Sequence, residues 1–271
     1  QTVLPRLFFN SDGIETQQSA VFVVAVSGGC DSMALLHALV QLLQQREPTS
    51  EGNNDNVKSP FQLPCAGRTV PCELHVVHFD HEQRGLESDG DRLLVEKTCQ
   101  EYGLPFYCHY WRTHDAALIS STGNNASPKF SQDLARTWRQ HHLIQLLNEL
   151  TKTPATQSLE RTSVKAGVIL TAHHADDHYE TMLLKLLRGT HITHLSGMDM
   201  VTVHEGGCLF AKPLLKIPKC TLEEFLSSQG LAWRTDASNA SNKYLRNRVR
   251  NELLPLMSDM AGGRHNLQRR L

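Results

Sequence analysis

The sequence predicts an α/β fold in which a parallel sheet is covered by helices on both faces. Short apolar, β-branched runs recur along the chain, and segments with helical spacing of apolar residues lie between them. Such alternation is typical of parallel strands joined by right-handed helical crossovers. The chain has 271 residues, of which 40% are hydrophobic, so it is long enough to bury a full core.

The first predicted strand, Val21–Val26, is almost wholly apolar, which suits a strand that is covered on both faces. The apolar residues of Met33–Leu43 then recur at helical spacing. The later elements alternate in the same way: strands over 73–80, 105–111 and 167–171, and helices over 89–102, 131–150 and 174–187.

Three polar stretches interrupt this pattern, near 47–71, 112–130 and 151–166, and their composition favours inserted surface loops. We expect a large domain over 1–211 and a basic, mainly helical segment over 212–271. From Lys212 onward there are 11 basic and 5 acidic residues, although the whole chain has 27 and 28. This asymmetry favours a polyanionic partner for the segment, and a solvated basic helix is the alternative.

The cysteine pattern bears on the compartment and on metal sites. Seven cysteines are scattered without any Cys-x-x-Cys pair, which favours a reducing compartment and argues against a zinc or iron–sulfur site. No apolar run approaches the roughly 18 residues of a membrane span. We therefore expect a cytoplasmic protein without membrane contact, or a protein of an organellar stroma or matrix if a targeting segment has been removed.

A glycine loop joins the first predicted strand to the first predicted helix. It consists of Ser27, Gly28, Gly29, Cys30, Asp31 and Ser32. Unpaired N–H groups and the helix dipole favour an anion at such a junction, and glycines let the backbone approach phosphate oxygens. The patterns Gly-x-x-x-x-Gly-Lys-Ser/Thr and Gly-x-Gly-x-x-Gly are absent, which argues against γ-phosphate transfer and dinucleotide redox chemistry. A tight turn without chemical significance is the alternative.

The hexad SGGCDS resembles the pyrophosphate loop of the ATP pyrophosphatases, the PP-loop superfamily. The resemblance implies a Rossmann-like fold of the adenine nucleotide alpha hydrolase type. It also implies that residues 27–32 bind ATP and that 1–211 form the catalytic domain. Members of this superfamily cleave ATP between the α and β phosphates to adenylate a carbonyl oxygen.

Two further stretches resemble one branch of this superfamily, the tRNA(Ile)-lysidine synthases. HFDHEQRGLESDGD (78–91) is similar to the VDHxLRxxS stretch and keeps Asp80 and Arg84. TAHHADDHYETMLLKLLRG (171–189) is similar to the AHHxDDQxET helix, with a histidine in place of glutamine at 178. On a helix, the side chains of His173, Asp176, Asp177 and Glu180 share one face. Because like charges repel there, a bound cation, either Mg²⁺ or the ammonium of lysine, explains this face better than solvent does.

The basic segment and the helix over 131–150 carry further matches. KPLL (212–215) and TDASNASNKYLRNRVRNELLPLM (235–257) are similar to the family patterns RPLL and DxSNxxxxYxRNxIRxxxLPxL, and LARTWRQ (134–140) keeps the pattern ARxxR. Lys212 replaces the usual arginine, so it keeps the charge without the planar, bidentate grip. The resemblance implies substrate contacts for Arg136, Arg139, Arg246 and Arg250.

The resemblance implies ligation of free L-lysine to carbon 2 of the wobble cytidine of tRNA(Ile) with a CAU anticodon, through an adenylated cytidine. ATP and Mg²⁺ are the implied cofactors, with Asp31 and Asp177 as the carboxylates for the metal. Asp177 is also a candidate base for the lysine amine, and Lys212 a candidate group to stabilise charge on the phosphate. A homodimer is one possible assembly.

Two alternative functions are also compatible with the sequence. A tRNA-thiolating PP-loop enzyme generally needs paired cysteines, which this sequence lacks. A nucleotide-binding or tRNA-binding module with impaired catalysis is suggested by three departures from the family patterns, namely Gln140, His178 and Lys212.

Overall fold

The computed structural model describes residues 17–44, 61–65, 68–81, 86–111, 131–152, 164–235 and 244–270. It confirms the α/β fold, with one seven-stranded sheet and helices on both of its faces. The strands are β1 (Gln17–Ala25), β2 (Phe61–Cys65), β3 (Arg68–Asp80), β4 (Phe106–Tyr110), β5 (Val164–Leu170), β6 (Val201–Val203) and β7 (Leu209–Ala211).

The strand order is β2-β3-β1-β5-β7-β6, and β4 also pairs with β3. Five strands run parallel to one another, namely β4, β3, β1, β5 and β7. Strand β2 is antiparallel to β3, and strand β6 is antiparallel to β7. The long strand β3 pairs with β2 through residues 68–72 and with β4 through residues 76–80.

Eight α-helices lie in the described residues, five of them before residue 236 and three after residue 243. The first five are α1 (Cys30–Leu43), α2 (Leu86–Tyr102), α3 (Gln132–Thr151), α4 (Ala175–Leu187) and α5 (Lys219–Ser228). The others are α6 (Leu245–Arg248), which continues through a π-helical turn (Val249–Leu253) into α7 (Leu254–Met260), and α8 (Arg264–Arg270).

Alternate residues of β1 supply the two halves of the core. Phe22 and Val24 pack in the cluster that contains most apolar side chains of α1. Val21 and Val23 pack in a second cluster with Leu143 and other residues of α3. Because β1 is central and buried on both faces, its sequence is apolar without alternation, as predicted. Helix α5 also contributes to the first cluster, so the start of the basic segment belongs to the main core.

Three details differ from the sequence predictions. The loop predicted over 47–71 is wrong for its last part, because Phe61–Cys65 and the start of β3 form a hairpin. The insertion predicted over 151–166 ends earlier, since β5 begins at Val164. The sheet is mixed rather than wholly parallel, because the short strands β2 and β6 are antiparallel to their neighbours. These two strands were not predicted, since brief apolar runs without a following helix do not match a βαβ pattern.

The parallel strands place the predicted site residues at one edge of the sheet. The carboxyl ends of β1, β3, β5 and β7 lead directly into the glycine loop, His81, Thr171–His173 and Lys212. Ligands of open α/β sheets bind outside this edge. Within the described part of the chain, no helix combines the length and apolar character needed to cross a membrane.

Candidate functional site

The glycine loop is held in shape by its own hydroxyl groups. The Ser32 side chain accepts a hydrogen bond from Ser27 N at 3.1 Å and donates one to Gly29 O at 3.0 Å. Gly28 has a φ of +86° and is buried, a conformation that side chains disfavour. The N-cap residue of α1 is Gly29, which has no side chain to accept hydrogen bonds from the first N–H groups of the helix.

Asp31 lies in the first turn of α1 with one unused oxygen. Its Oδ1 atom is buried and has no hydrogen-bond partner in the described structure, and its Oδ2 atom lies 3.5 Å from His174 Nε2. Burial alone would raise the pKa of Asp31, but the hydrogen bond and charge of His174, together with Lys219 and Arg250, lower it. Asp31 is therefore ionised near neutral pH and keeps an oxygen available for a cation.

His174 connects the glycine loop to the start of α4. This almost fully buried side chain has its Nε2 atom 3.5 Å from both Asp31 Oδ2 and Asp177 Oδ2. Burial opposes its charged form, yet the surrounding carboxylates of Asp31, Asp177 and Asp176 raise its pKa. His173 was predicted as a site residue from the sequence, whereas His174 was not. The signal that could have identified His174 is its position immediately before the acidic first turn of α4.

His173 differs from its neighbour in environment. Its Nδ1 atom lies 3.1 Å from Thr171 Oγ1, and burial lowers its pKa to about 4. The charge of Asp177 opposes this shift, whereas the charges of Lys212, Arg246 and Arg136 act in the same direction as burial. His173 is therefore a neutral imidazole near pH 7, which suits hydrogen bonding to a substrate rather than proton storage.

The acidic side chains of α4 are neutralised by arginines of the basic segment. We call Asp177, Glu180, Arg246 and Arg250 the arginine network. Glu180, which is fully buried, accepts from Arg246 Nε at 2.9 Å and from Arg250 Nε at 2.5 Å. Asp177 Oδ1 accepts from Nη2 of the same arginines at 3.1 and 3.3 Å, and Asp177 Oδ2 accepts from His174 N at 3.2 Å.

This network corrects one inference from the sequence. The inference that the acidic face needs an added cation is wrong for Glu180, because two guanidinium groups supply the positive charge. Asp176 likewise pairs with Arg264 and accepts from Lys219 N. The arginines lie 66 to 73 positions from their partners, so their helical spacing alone does not reveal the pairing.

The side chain of Lys212, which follows β7, is held by the segment that precedes β6. Its Nζ atom donates to Asp199 O at 3.0 Å, and burial lowers its pKa. His178 Nδ1 accepts from Met198 N at 3.0 Å. His178, which stands where the family pattern has glutamine, therefore binds the same segment before β6.

The remaining predicted residues have separate positions. Asp80 is buried at the end of β3, and Arg84 lies outside the described residues. The charge of Arg136 reaches both His173 and Lys212, which places α3 beside the same edge. Arg139 lies close enough to Arg136 for their charges to interact.

The donor set limits which metal fits. No group of three or more His, Cys, Asp or Glu side chains is arranged for a metal within the described residues. Mg²⁺ needs only one or two carboxylates when phosphates and water complete its shell. The free Oδ1 atom of Asp31 fits that requirement, whereas the described contacts already engage both oxygens of Asp177.

Comparison with known proteins gives three results. A model of the PP-loop domain family matches residues 6–257. The chain is 31% identical over 246 residues to a tRNA(Ile)-lysidine synthase of Geobacter sulfurreducens, covering 89% of this chain and 41% of that protein. It is 32% identical over 250 residues to the enzyme of that name from Bacillus subtilis, covering 92% and 43%. The chain thus spans about two fifths of the length of these relatives.

The fold also resembles that of a solved structure. The U34-tRNA thiolase NcsA from Methanococcus maripaludis, solved with its [4Fe-4S] cluster, superposes with a TM-score of 0.60 at 15% identity. The superposition covers 94% of this chain and 71% of the thiolase. At this identity the likeness concerns the fold alone.

Proposed function

The chain belongs to the PP-loop domain family of ATP-binding proteins, and on that premise we propose that it is the catalytic part of a tRNA(Ile)-lysidine synthase. The proposed reaction joins free L-lysine to carbon 2 of the wobble cytidine of tRNA(Ile) with a CAU anticodon. ATP is consumed to AMP and pyrophosphate.

One observation carries the choice of this reaction. About 30% identity to lysidine synthases from several bacteria extends over about nine tenths of the chain, and so includes the glycine loop, α4 and the basic segment. A shared PP-loop domain would support ATP use alone. The similarity across all three regions supports the substrate as well.

The glycine loop is proposed to hold the ATP phosphates. It lies at the amino end of α1, where helix N–H groups and the dipole attract anions. Mg²⁺, when bound, would offset the phosphate charge. We propose Asp31 as its main protein ligand, because Oδ1 of this residue is buried without a partner, with Asp177 as a second ligand only if one arginine contact is released.

The reaction proceeds in two displacements. The cytosine carbonyl oxygen forms a bond to the α phosphorus of ATP as the bond to pyrophosphate breaks. The neutral lysine amine then forms a bond to carbon 2 as the bond between carbon 2 and the oxygen of AMP breaks, and the amine nitrogen releases one proton to water. We propose that Lys212 stabilises the negative charge on the α phosphate, since it is a cation on the same edge as the loop.

The same residues suggest how the substrates are held. The charges of Lys212 and Arg136 both act on His173, and we propose that these three side chains contact a nucleotide of the tRNA. Arg246 and Arg250 are proposed to act through Asp177 and Glu180 rather than on the substrate directly. A role of Asp177 as base would require it to exchange one of these contacts for the lysine amine.

The basic segment supplies the proposed contact with the tRNA backbone. Its Arg248 side chain is 60% exposed and pairs only with the neighbouring Glu252 among the described contacts. Lys243, another cation of the basic segment, lies outside the described residues. The two-domain division at 211, the homodimer and the cytoplasmic or organellar location stay predictions.

The experiment is nucleoside mass spectrometry after the protein has been incubated with the tRNA, ATP, Mg²⁺ and L-lysine. Lysidine is expected only when all four are present, and elongator methionine tRNA serves as the control substrate. A thiolated nucleoside formed with a sulfur donor would favour a thiolase. Binding of ATP and tRNA without any product would favour an impaired module.

A further inference from the structure

The segment after α5 makes backbone contacts with the glycine loop. Arg234 N donates to Gly28 O at 3.0 Å, and Gly29 and Arg234 pair as an isolated parallel bridge. The loop is therefore fixed by a residue more than 200 positions later in the chain, in addition to its own hydroxyl groups.

The side chain of Arg234 extends the same contact to α2. Its Nε atom donates to Asp91 Oδ1 at 2.7 Å. The side chain of Asp91 is 22% exposed and that of Arg234 43% exposed. Asp91 in turn lies against Gly28, since a Cβ atom at Gly28 would be 3.2 Å from Asp91 O. Gly28, Asp91 and Arg234 thus form a closed ring of contacts, which we call the loop clamp.

Gly90 gives independent support for the loop clamp. This residue lies within α2, where glycine is less favourable than alanine. A Cβ atom at this position would lie 2.7 Å from Arg234 Cζ. The guanidinium group therefore occupies the space that a side chain would take, and the glycine makes room for it.

We propose that Arg234 is a positioning residue for the glycine loop, fastening Gly28 and Gly29 in their ATP-binding conformation through Asp91. This inference rests on the proposed use of the loop for ATP. Arg234 acts through the loop backbone and not on the substrate. A loop that is already fixed loses less conformational entropy when ATP binds, and its affinity for ATP is therefore higher.

The test compares Gly90→Ala, Arg234→Ala and the double variant in the full chain. In Gly90→Ala the new methyl group displaces the flexible arginine, while the helix itself gains from alanine. We expect each single variant to weaken ATP binding about fivefold, the effect of losing one partly exposed ion pair. The double variant should bind no more weakly than Arg234→Ala, and Gly90→Ala should not lower the melting temperature.

Arg92→Ala is the matched control, because it removes an ion pair with Glu96 on the same helix without touching the loop. Arg234→Lys should restore part of the affinity by keeping the charge. An ATP dissociation constant for Gly90→Ala equal to that of the unaltered protein would overturn the proposal.

Hydrogen exchange of the peptide containing residues 27–33 provides a readout that needs no ATP. Exchange should be faster in Gly90→Ala and Arg234→Ala than in the unaltered protein and in Arg92→Ala. Unchanged exchange would contradict the positioning role. Failure of the unaltered protein to bind ATP would instead contradict the proposed function, so the two failures are distinguishable.

Discussion

The glycine loop and the arginine network lie at the same edge of the sheet but are built from different groups. The loop is formed by consecutive residues whose backbone conformation is set by Gly28 and by the Ser27–Ser32 contacts. The network is formed by side chains from two distant parts of the chain, α4 and the π-helical turn with α6. The same edge of the sheet thus carries a loop whose backbone N–H groups face a ligand site and a network of side chains that neutralise one another's charges. The loop should thus control affinity, and the network should control stability.

The largest expected effect on stability concerns Glu180. Glu180→Gln keeps the shape but leaves two guanidinium groups without a buried carboxylate. Breaking such a pair destabilises a protein by about 3 kcal/mol, although the partial exposure of the arginines moderates the loss. Chemical denaturation gives the free energy of unfolding. Glu252→Gln, which removes the charge from the exposed pair with Arg248, should lower the free energy of unfolding far less. Equal losses in the free energy of unfolding for the two variants would contradict the claim that the buried network controls stability.

The next effect concerns Gly28 and should appear mainly in ATP affinity. Gly28→Ala forces a side chain to adopt a φ of +86° and brings a Cβ atom to 3.2 Å from Asp91 O. We expect ATP binding to fall by more than about tenfold, with a stability loss of about 1–2 kcal/mol. Gly103→Ala is the control, since Gly103 has a φ of +64° with open space around it. If Gly103→Ala weakens ATP binding equally, the loop assignment is wrong.

A smaller effect is expected on RNA binding. Arg248→Ala removes an exposed cation of the basic segment without touching the arginine network. If Arg248 contacts a phosphate, the logarithmic salt dependence of binding to the anticodon stem-loop should flatten by about 0.7 to 0.9. Filter binding over a salt series measures this slope. Lys97→Ala, which removes an exposed cation on α2, should leave it unchanged. An unaltered slope in Arg248→Ala would mean that this arginine is only solvated.

The smallest effect concerns pH. His78 Nδ1 donates to Val26 O at 2.9 Å immediately before the loop, and burial lowers its pKa. The unfolded chain therefore binds a proton at His78 more readily than the folded protein does. The contribution of the neutral His78 side chain to the free energy of unfolding is fully present above the unfolded pKa of about 6.5. It is lost as the pH falls through the lower pKa of the folded state. One proton gives a slope of at most about 1.4 kcal/mol per pH unit.

His78→Asn should reduce that slope, because asparagine keeps a donor for Val26 O and does not titrate. Urea unfolding at several pH values between 5 and 7.5 gives the measurement. A slope identical to that of the unaltered protein would contradict the role of His78.

The same comparison explains what could be predicted from the sequence. The glycine loop and the central strands are local patterns, so their residues alone indicated a turn at the carboxyl end of a buried strand. The pairing of Glu180 with Arg250 depends on how distant segments meet, and periodicity carries no such information. Strand β7, which places Lys212 at the edge, was too short to produce a pattern. His174 and Arg234 were missed because their importance arises from contacts across the fold.

The products of ATP cleavage test the central claim most directly, that the glycine loop serves an adenylating lysidine synthase. Radiolabelled ATP is incubated with the protein, Mg²⁺, L-lysine and the tRNA, and the nucleotides are separated. We expect AMP and pyrophosphate in equal amounts over repeated turnovers, which should depend on both lysine and tRNA, and we expect strongly reduced formation of both products in Asp31→Asn. Formation of ADP and phosphate, or of AMP at the same rate without tRNA and lysine, would contradict it.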